Sequence, residues 1–498
     1  MLRALAVSLL LTIGLSLAPA AGQTGKDTLN VDLPGDVATL DPQIQSDTDS
    51  YSVYRNIFDN LLTRDAEGTI VGQVASAWRY VNDTTIEFDI RREIRFHDGT
   101  PLTPEDVAFT VRRVTDPAFA SPQLTWYDSI ASAQVTGPST VTLKTKTPYA
   151  PLLAQLVNLS IVPKAYVEAA GNQRFNQAPM GSGPFRFKAW QRGAQISLVA
   201  NDGYWRGAPP FKAVEYRVVP DVSTRIANLQ TGRSDVTRRL LPEEAATVKA
   251  DPRLQVLAVA TERISFLFMN AQSGPTADVR VRRAIAYAID RPTLIEALTE
   301  GYGKPVNVDL SPAVFGYTDQ VKGYEFDPAK ARALIKEAGA EGKQLIFPMS
   351  PVYDRKLAEA IQQMLADVGL RVEIAMLDHP TFMRRRQGRP DEAGNLALGR
   401  WSCACRDADG VIYPRYRTGT IWSKYSNPAF DAEVDAARVI IDEKSRLEHY
   451  RKAFEIMRED VPSIGLFQDF AIYGARKELR WTPRADESFF MFDMRWVP

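Results

Sequence analysis

The stretch of this chain with the richest potential chemistry is RWSCACRDADG, at residues 400–410. It contains both cysteines of the protein, an indole ring and charges of both signs, on Trp401, Cys403, Cys405, Arg406, Asp407 and Asp409. Thiols with carboxylates could bind a soft metal ion, two thiols could form a redox pair, and two carboxylates could act in hydrolysis. An aromatic ring beside charged groups could instead form the wall of a ligand pocket.

The rest of the sequence argues against a metal site or a thiol redox centre here. Structural zinc takes four ligands, and the only histidines of the chain are His97, His379 and His449. Redox thiol pairs favour the spacing C-x-x-C, whereas these cysteines are two positions apart. On a continuing strand their Cα atoms would lie about 6.5–7 Å apart. A disulfide would therefore require the backbone to bend, and we expect neither a metal nor another cofactor.

The usual sequence signatures of covalent catalysis are also missing. The chain has no G-x-S-x-G nucleophile elbow, no S-x-x-K motif and no G-x-G-x-x-G dinucleotide fingerprint. Because histidine is scarce, a Ser-His-Asp or Cys-His arrangement has few candidate bases. The paired acids Asp407 and Asp409 could serve an exported hydrolase, which is kept as a distant alternative to binding.

The elements around this stretch place it at the edge of a predicted sheet. Residues 343–376 read as strand, helix and strand, which predicts a βαβ unit with parallel strands and a right-handed crossover. Ligands bind beyond the carboxyl ends of such strands, where Tyr353 lies, with Arg355 just inside the helix. A later strand ends at Trp401. If the strands share a sheet, these residues and the 400–410 stretch face one crevice.

Composition and the N-terminus limit the class of protein. The 498 residues are enough for two or three domains, and alternating strand and helix signals predict an α/β architecture. Lys+Arg and Asp+Glu are both 60, so nucleic acid is not expected as a partner. Residues 1–20 combine Arg3, a short apolar segment and the small-x-small sequence Ala18-Pro19-Ala20. This pattern is typical of a cleaved signal peptide and predicts a soluble, exported protein.

Short motifs spread over nearly the whole predicted mature chain are specific when taken together. They are TLDPQ at 39–43, NIFDNLLTRDAEGTIVGQVASAW at 56–78, IRFHDGTPLTPEDVAFTVRRV at 94–114, GSGPFRF at 181–187, DVRVRRAIAYAIDR at 278–291, FDPAKARALIKEAG at 326–339 and YSNPAFDAEVDAAR at 425–438. With these motifs the chain resembles the extracellular solute-binding proteins of ABC importers. The resemblance is to the peptide/nickel-binding family, which includes dipeptide- and oligopeptide-binding proteins.

The resemblance implies an α/β, three-lobed periplasmic-binding-protein fold of type II, with mixed sheets and a two-segment hinge about which the Venus flytrap closes. The implied bounds are 24–58, 178–268 and 476–498 for lobe I, 59–177 for lobe II and 269–475 for lobe III. The hinge segments would lie near Phe268-Met269-Asn270 and near residue 475. Asn270 is therefore counted among the candidate ligand contacts.

The resemblance also implies a function. The protein would be a monomeric periplasmic receptor, without catalysis or cofactor, that captures a small peptide or peptide-like solute and delivers it to the permease subunits of an ABC importer. Family members bind oligosaccharides, opines or nickel chelates as well, so a non-peptide solute is the alternative.

Two charged anchors follow from the peptide-binding relatives. In those relatives a tryptophan matches Trp401, and the aspartate three residues after it pairs with the peptide ammonium. This chain has Ala404 at the position of that aspartate. Asp407 or Asp409 is considered as its substitute. An arginine near Arg355 pairs with the peptide carboxylate in some relatives. The candidate ligand contacts are Trp401, Arg406, Asp407, Asp409, Tyr353, Arg355 and Asn270.

Overall fold

The computed structural model describes residues 26–45 and 47–497, so the predicted signal peptide lies outside the described residues. The strands are β1 (Thr28–Leu33), β2 (Leu62–Arg64), β3 (Ile70–Gly72), β4 (Ala75–Asn82), β5 (Thr85–Ile90), β6 (Ile130–Gly137), β7 (Thr140–Thr145), β8 (Phe185–Gln191), β9 (Gln195–Ala200), β10 (Ala213–Val218), β11 (Val236–Arg238), β12 (Leu254–Met269), β13 (Gly303–Pro305), β14 (Gln344–Met349), β15 (Arg371–Met376), β16 (Leu396–Trp401), β17 (Ser463–Arg476), β18 (Leu479–Arg480) and β19 (Arg495–Trp496).

The α-helices lie between and around these strands. They are α1 (Thr48–Tyr54), α2 (Pro104–Thr115), α3 (Leu124–Tyr127), α4 (Leu152–Leu156), α5 (Lys164–Gln177), α6 (Val222–Gln230), α7 (Pro242–Lys249), α8 (Val279–Ala288), α9 (Arg291–Thr299), α10 (Pro328–Glu337), α11 (Arg355–Asp367), α12 (His379–Gln387), α13 (Asp409–Tyr416), α14 (Pro428–Val439) and α15 (Glu443–Asp460). No helix in the described ranges is long and apolar enough to cross a membrane.

A mixed sheet runs through the centre of the molecule in the order β16-β12-β17-β11-β1-β10-β9-β8, and β13 also pairs with β17. Strand β1 is parallel to β10 and β11, whereas the other pairs are antiparallel. The long strands β12 and β17 pair along most of their length, with a register shift between Ala260 and Ile264. Such a break bends a strand locally, so the sheet changes direction at this point.

The apolar cores are separate. One buried cluster draws its members from Leu61–Ile161 and packs on the antiparallel sheet β4-β5-β7-β6. A second joins the two ends of the chain, from Leu29 to Met494. Two more lie within 267–467 and 308–457. The mixed α/β architecture predicted from the sequence is confirmed, while the lobe bounds stay a prediction.

The predicted βαβ unit is confirmed, because β14 and β15 are parallel and α11 connects them. Strand β16 does not join their ladder, since it pairs antiparallel with β12 along its length. It meets β14 only at its start, where the Asn395 backbone N–H donates to the Ile346 carbonyl and the Ile346 N–H donates to the Asn395 side chain, both at 2.8 Å. The Asn395 side chain thus accepts the hydrogen bond that a backbone carbonyl would accept in a continuing sheet.

Candidate functional site

A cleft made of three adjoining cavities lies along β12 and β16. The largest, about 600 Å³, is lined by residues from four parts of the chain: 48–51, 125–155, 262–263 and 401–438. A cavity of about 280 Å³ shares Trp401 and Trp422 with it, and one of about 540 Å³ shares Tyr353 and Arg400 with the smaller cavity. Cavities of this size, between separately packed cores, are usual sites for small ligands.

Aromatic rings form the walls where the cavities meet. The half-buried Trp401 indole donates from Nε1 to the Gly410 carbonyl at 3.0 Å and lies edge-on to Trp422 at 5.5 Å between ring centroids. The Tyr353 ring packs on Phe382 at 5.4 Å. Trp401 and Tyr353 both line the 280 Å³ cavity. The structure therefore brings these two predicted residues together, on the crevice side where each preceding strand ends.

The cysteine pair is part of the cleft wall. Cys403 and Cys405 form a disulfide with their Cα atoms 5.0 Å apart. The strand ends at Trp401, and the following turn, closed by the Arg406 N–H donating to the Cys403 carbonyl at 2.7 Å, supplies the bend that the sequence required. Cys403 and Ala404 line the 600 Å³ cavity. The disulfide therefore holds the loop that carries the Ala404 position.

Gly410 is needed beside this loop. A Cβ atom at this position would lie 2.3 Å from the Cys403 sulfur and 2.7 Å from the Cys405 sulfur, closer than such atoms approach. The disulfide thus packs directly on the first turn of α13, which begins at Asp409.

Asp407 is buried inside an ion pair. Arg446 Nη2 donates to its two carboxylate oxygens at 2.9 and 3.0 Å, and the Tyr450 hydroxyl donates at 3.3 Å. The residue is 2% exposed and lines none of the three cavities. Asp407 therefore holds α15 against the 400–410 loop and leaves no carboxylate oxygen for a ligand.

Asp409 lines the 600 Å³ cavity but already has partners. The Tyr149 hydroxyl donates to its Oδ2 at 3.2 Å, and Arg438 Nη1 lies 3.7 Å from its Oδ1. Burial, opposed by the charge of Arg438, raises the pKa of Asp409 to about 6. The carboxylate thus contacts Tyr149 and Arg438, while its buried Oδ1 accepts no hydrogen bond from any described residue.

Three other predicted contacts lie outside the cleft cavities. Arg406 donates from Nε to the Ala313 carbonyl at 2.9 Å, and its guanidinium lies against Gly68. Asn270 is 1% exposed and donates to the carbonyls of Pro390 and Gly394 at 2.6 and 3.0 Å. The Arg355 side chain is 70% exposed and pairs with Glu359 on the outer face of α11.

Arg355→Ala is therefore expected to leave ligand affinity unchanged within about twofold, since an exposed i,i+4 pair contributes little. Isothermal titration of the variant and the wild type with one ligand tests this. Tyr353→Ala, two residues earlier but in the cleft wall, is the matched variant and is expected to weaken binding. A large loss of affinity for Arg355→Ala would contradict the geometry described above.

Glu262 is a cleft residue that the sequence analysis did not identify. It lies at the register break of β12 and lines the 600 Å³ cavity, with a residue exposure of 6%. No residue in the described part of the chain donates a hydrogen bond to its carboxylate, and its Oε2 is buried. Burial, with the charges of Asp486 and Glu487, outweighs the opposing charges of Arg406 and Arg263 and raises its pKa to about 8. The one available signal was the charged pair Glu262-Arg263, the only charged residues of a largely apolar strand.

Comparisons with known proteins decide the family. The model described as "Bacterial extracellular solute-binding proteins, family 5 Middle" matches residues 69–423, which is more than half of the chain. The chain belongs to this family. The predicted resemblance, the periplasmic-binding-protein fold and the function class, a solute-binding receptor of ABC importers, are thereby confirmed.

Individual relatives of this family-5 protein bind different solutes. The dipeptide-binding protein of Escherichia coli K12 is 27% identical, with 95% of each chain covered. The periplasmic binding protein DppA of Helicobacter pylori, solved with the peptide STSA, is 25% identical with a TM-score of 0.77, covering 94% of this chain and 98% of that one. The protein AgaA of A. tumefacien R10, solved with agropinic acid, is 25% identical with a TM-score of 0.75, covering 95% and 99%.

Proposed function

We propose that this family-5 protein is an exported periplasmic receptor that captures a small peptide or peptide-like solute with a free ammonium group. The solute binds in the cleft along β12 and β16, and the loaded receptor, a monomer, delivers it to the permease subunits of an ABC importer. The protein performs no chemistry on the solute. Closure around the ligand is a shift of population toward a closed state that the ligand binds more tightly.

The observation that carries this proposal is the unpartnered Glu262 carboxylate in an aromatic-walled cleft. A buried carboxylate without hydrogen-bond donors is costly, and a ligand ammonium brings three donors and the opposite charge. The neighbouring position Ala404 lacks the acid that the resemblance leads one to expect. Glu262 lines the same cavity as Ala404, so it takes the role for which Asp407 and Asp409 were considered.

The arrangement of the two acids counts against the distant hydrolase alternative. Of the pair, Asp409 lines a cleft cavity, whereas Asp407 is buried against Arg446, so the two carboxylates do not line a common cavity. A non-peptide solute remains a second candidate, favoured by the likeness to the agropinic acid-binding AgaA.

The test is native mass spectrometry of freshly purified protein, followed by thermal-shift screening of di- to pentapeptides with free or acetylated N-termini. Binding to the native state raises apparent stability, by about 2.7 kcal/mol at a hundredfold excess over Kd. We expect free-ammonium peptides to stabilise the protein and acetylated ones not to. A flat response to all peptides, with stabilisation by a sugar or an opine, would reject the peptide part of the proposal.

A further inference from the structure

The 280 Å³ cavity is a side chamber of the cleft, reached past Trp401 and Trp422. It lies at the free edge of β16, between that strand and the helices α12 and α13. Most of its wall is aromatic, formed by Phe266, Phe268, Phe382, Tyr416, Trp401 and Trp422. A flat or bulky apolar group would replace water against such a wall.

Three arginines enter this aromatic chamber, and two of them have carboxylate partners. Arg400 Nε lies 2.7 Å from Asp469 Oδ2, and Arg415 Nη2 lies 2.8 Å from Asp309 Oδ2. Each of these guanidinium groups is therefore neutralised within the protein. The third arginine, Arg386, differs from them.

Arg386 has no such partner among the described residues. It makes no salt bridge and donates no side-chain hydrogen bond there, although its residue exposure is 7% and its Nη1 is buried. Its guanidinium lies over the Phe268 ring, 3.7 Å from the centroid. Burial lowers its pKa to about 10, so it stays protonated at neutral pH.

Among the described residues, the groups that act on the pKa of Arg386 include a further arginine and no acidic side chain. Arg415 and the tyrosines Tyr353 and Tyr416 are the ionisable groups that act on it, and Lys424 is buried close enough for Arg386 to lower its pKa, after burial itself, to about 8. A buried charge is normally paired. The missing partner of Arg386 is therefore an anion that enters from the cavity.

We propose that this chamber is an anion subsite, in which Arg386 binds the carboxylate of the solute and the aromatic rings enclose the apolar body attached to it. A planar guanidinium matches a carboxylate through two parallel hydrogen bonds. The ligand class is an organic acid on an apolar body, whether the C-terminal residue of a peptide or a non-peptide acid. The inference rests on the proposed function, because the acid reaches the chamber through the receptor cleft.

The test uses 3-phenylpropionate and its neutral amide as probes of the chamber, after removal of any co-purified solute. Binding is followed by the fluorescence of Trp401 and Trp422, which line it, and by thermal shift. We expect the acid to bind at least about tenfold tighter than the amide, as for a charge-assisted pair. Arg386→Met should lose that preference, Arg386→Lys should keep part of it, and Arg384→Met, exposed on the same helix, should keep all of it.

Stability of the unliganded protein supplies an independent readout. Arg386→Met removes an unpaired buried charge, so its melting temperature should equal or exceed that of the wild type. A melting temperature well below that of the wild type would overturn the proposal, since it would mean that the protein itself satisfies the arginine. The proposal would also be overturned if the wild type bound 3-phenylpropionate and its amide equally. The same holds if the wild type and Arg386→Met bound 3-phenylpropionate equally.

The affinities of peptides with a free C-terminal carboxylate and of their C-terminal amides distinguish this inference from the proposed function. If both forms bind wild type and Arg386→Met equally, the subsite is wrong and the receptor function stands. If 3-phenylpropionate binds through Arg386 but no peptide or opine binds the cleft, the receptor proposal is wrong and the subsite stands. A preference for non-peptide acids over peptide acids would identify the source of the carboxylate.

Discussion

Arg446→Met is expected to destabilise the protein by about 3–5 kcal/mol, because it leaves the Asp407 carboxylate buried without its cation. Both partners are about 95% or more buried, with side-chain exposures of 5% and 3%. The pair fastens α15 to the 400–410 loop, so the loss also loosens the wall that carries Trp401. Urea unfolding followed by fluorescence measures the change.

Two variants on the same elements serve as controls for Arg446→Met. Arg451→Met, also on α15, breaks the surface pairs with Glu448 and Glu455 and should leave the unfolding midpoint nearly unchanged. The double variant Asp407→Asn/Arg446→Met removes the orphaned charge and should recover part of the loss. If Arg446→Met unfolded at the wild-type midpoint, the pair would not hold the loop.

Glu262→Gln is expected to weaken binding of peptides with a free N-terminus by about 10–100-fold, while it makes the unliganded protein more stable. The affinity falls because an ammonium–carboxylate hydrogen bond, which contributes about 1.5–3 kcal/mol, is replaced by one to a neutral amide, which contributes about 0.5–1.5 kcal/mol. A loss of function that comes with a gain in stability is the behaviour of a residue kept for binding. Titration calorimetry and thermal unfolding of the two proteins measure both effects.

The contribution of Glu262 to the stability of the unliganded protein should decrease as the pH rises. Burial raises the pKa of Glu262 to about 8, so the folded protein keeps a proton that the unfolded chain loses near its ordinary pKa of about 4.3. Between these values the unfolded state binds fewer protons, and stability falls as the pH rises. At pH 8 the glutamine variant, which lacks this titration, should be more stable by about 4 kcal/mol.

Ligand affinity should also depend on the titration of Glu262, but it should rise with pH where stability falls. Below about pH 8 the ligand ammonium must displace the proton of Glu262. The affinity for Ala-Ala should therefore increase by up to about tenfold for each unit by which the pH is raised towards 8. Glu262→Gln should remove this dependence, and Glu325→Gln, an exposed acid outside the cleft cavities, should retain it. Equal affinities and pH profiles for Glu262→Gln and the wild type would contradict the role assigned to Glu262.

Local sequence rules located the cleft well. The βαβ unit follows from apolar periodicity, and the rule that ligands lie beyond strand ends placed Tyr353 and Trp401 in one cavity wall. This works because the side-chain periods of strands and helices are properties of neighbouring residues. The same rules failed to separate Arg355 from Tyr353. Tyr353 lies in the cleft wall, whereas Arg355, two residues later at the start of α11, turns its side chain to solvent.

The family, the α/β architecture and the position of the cleft were thus determined by the sequence alone. Which charges are available to a ligand was decided only by the tertiary structure. Asp407 is held by Arg446, 39 residues away, whereas no described residue donates a hydrogen bond to the Glu262 carboxylate. A side chain's charge is encoded locally, but its partner and its burial depend on segments that meet only when the chain has folded.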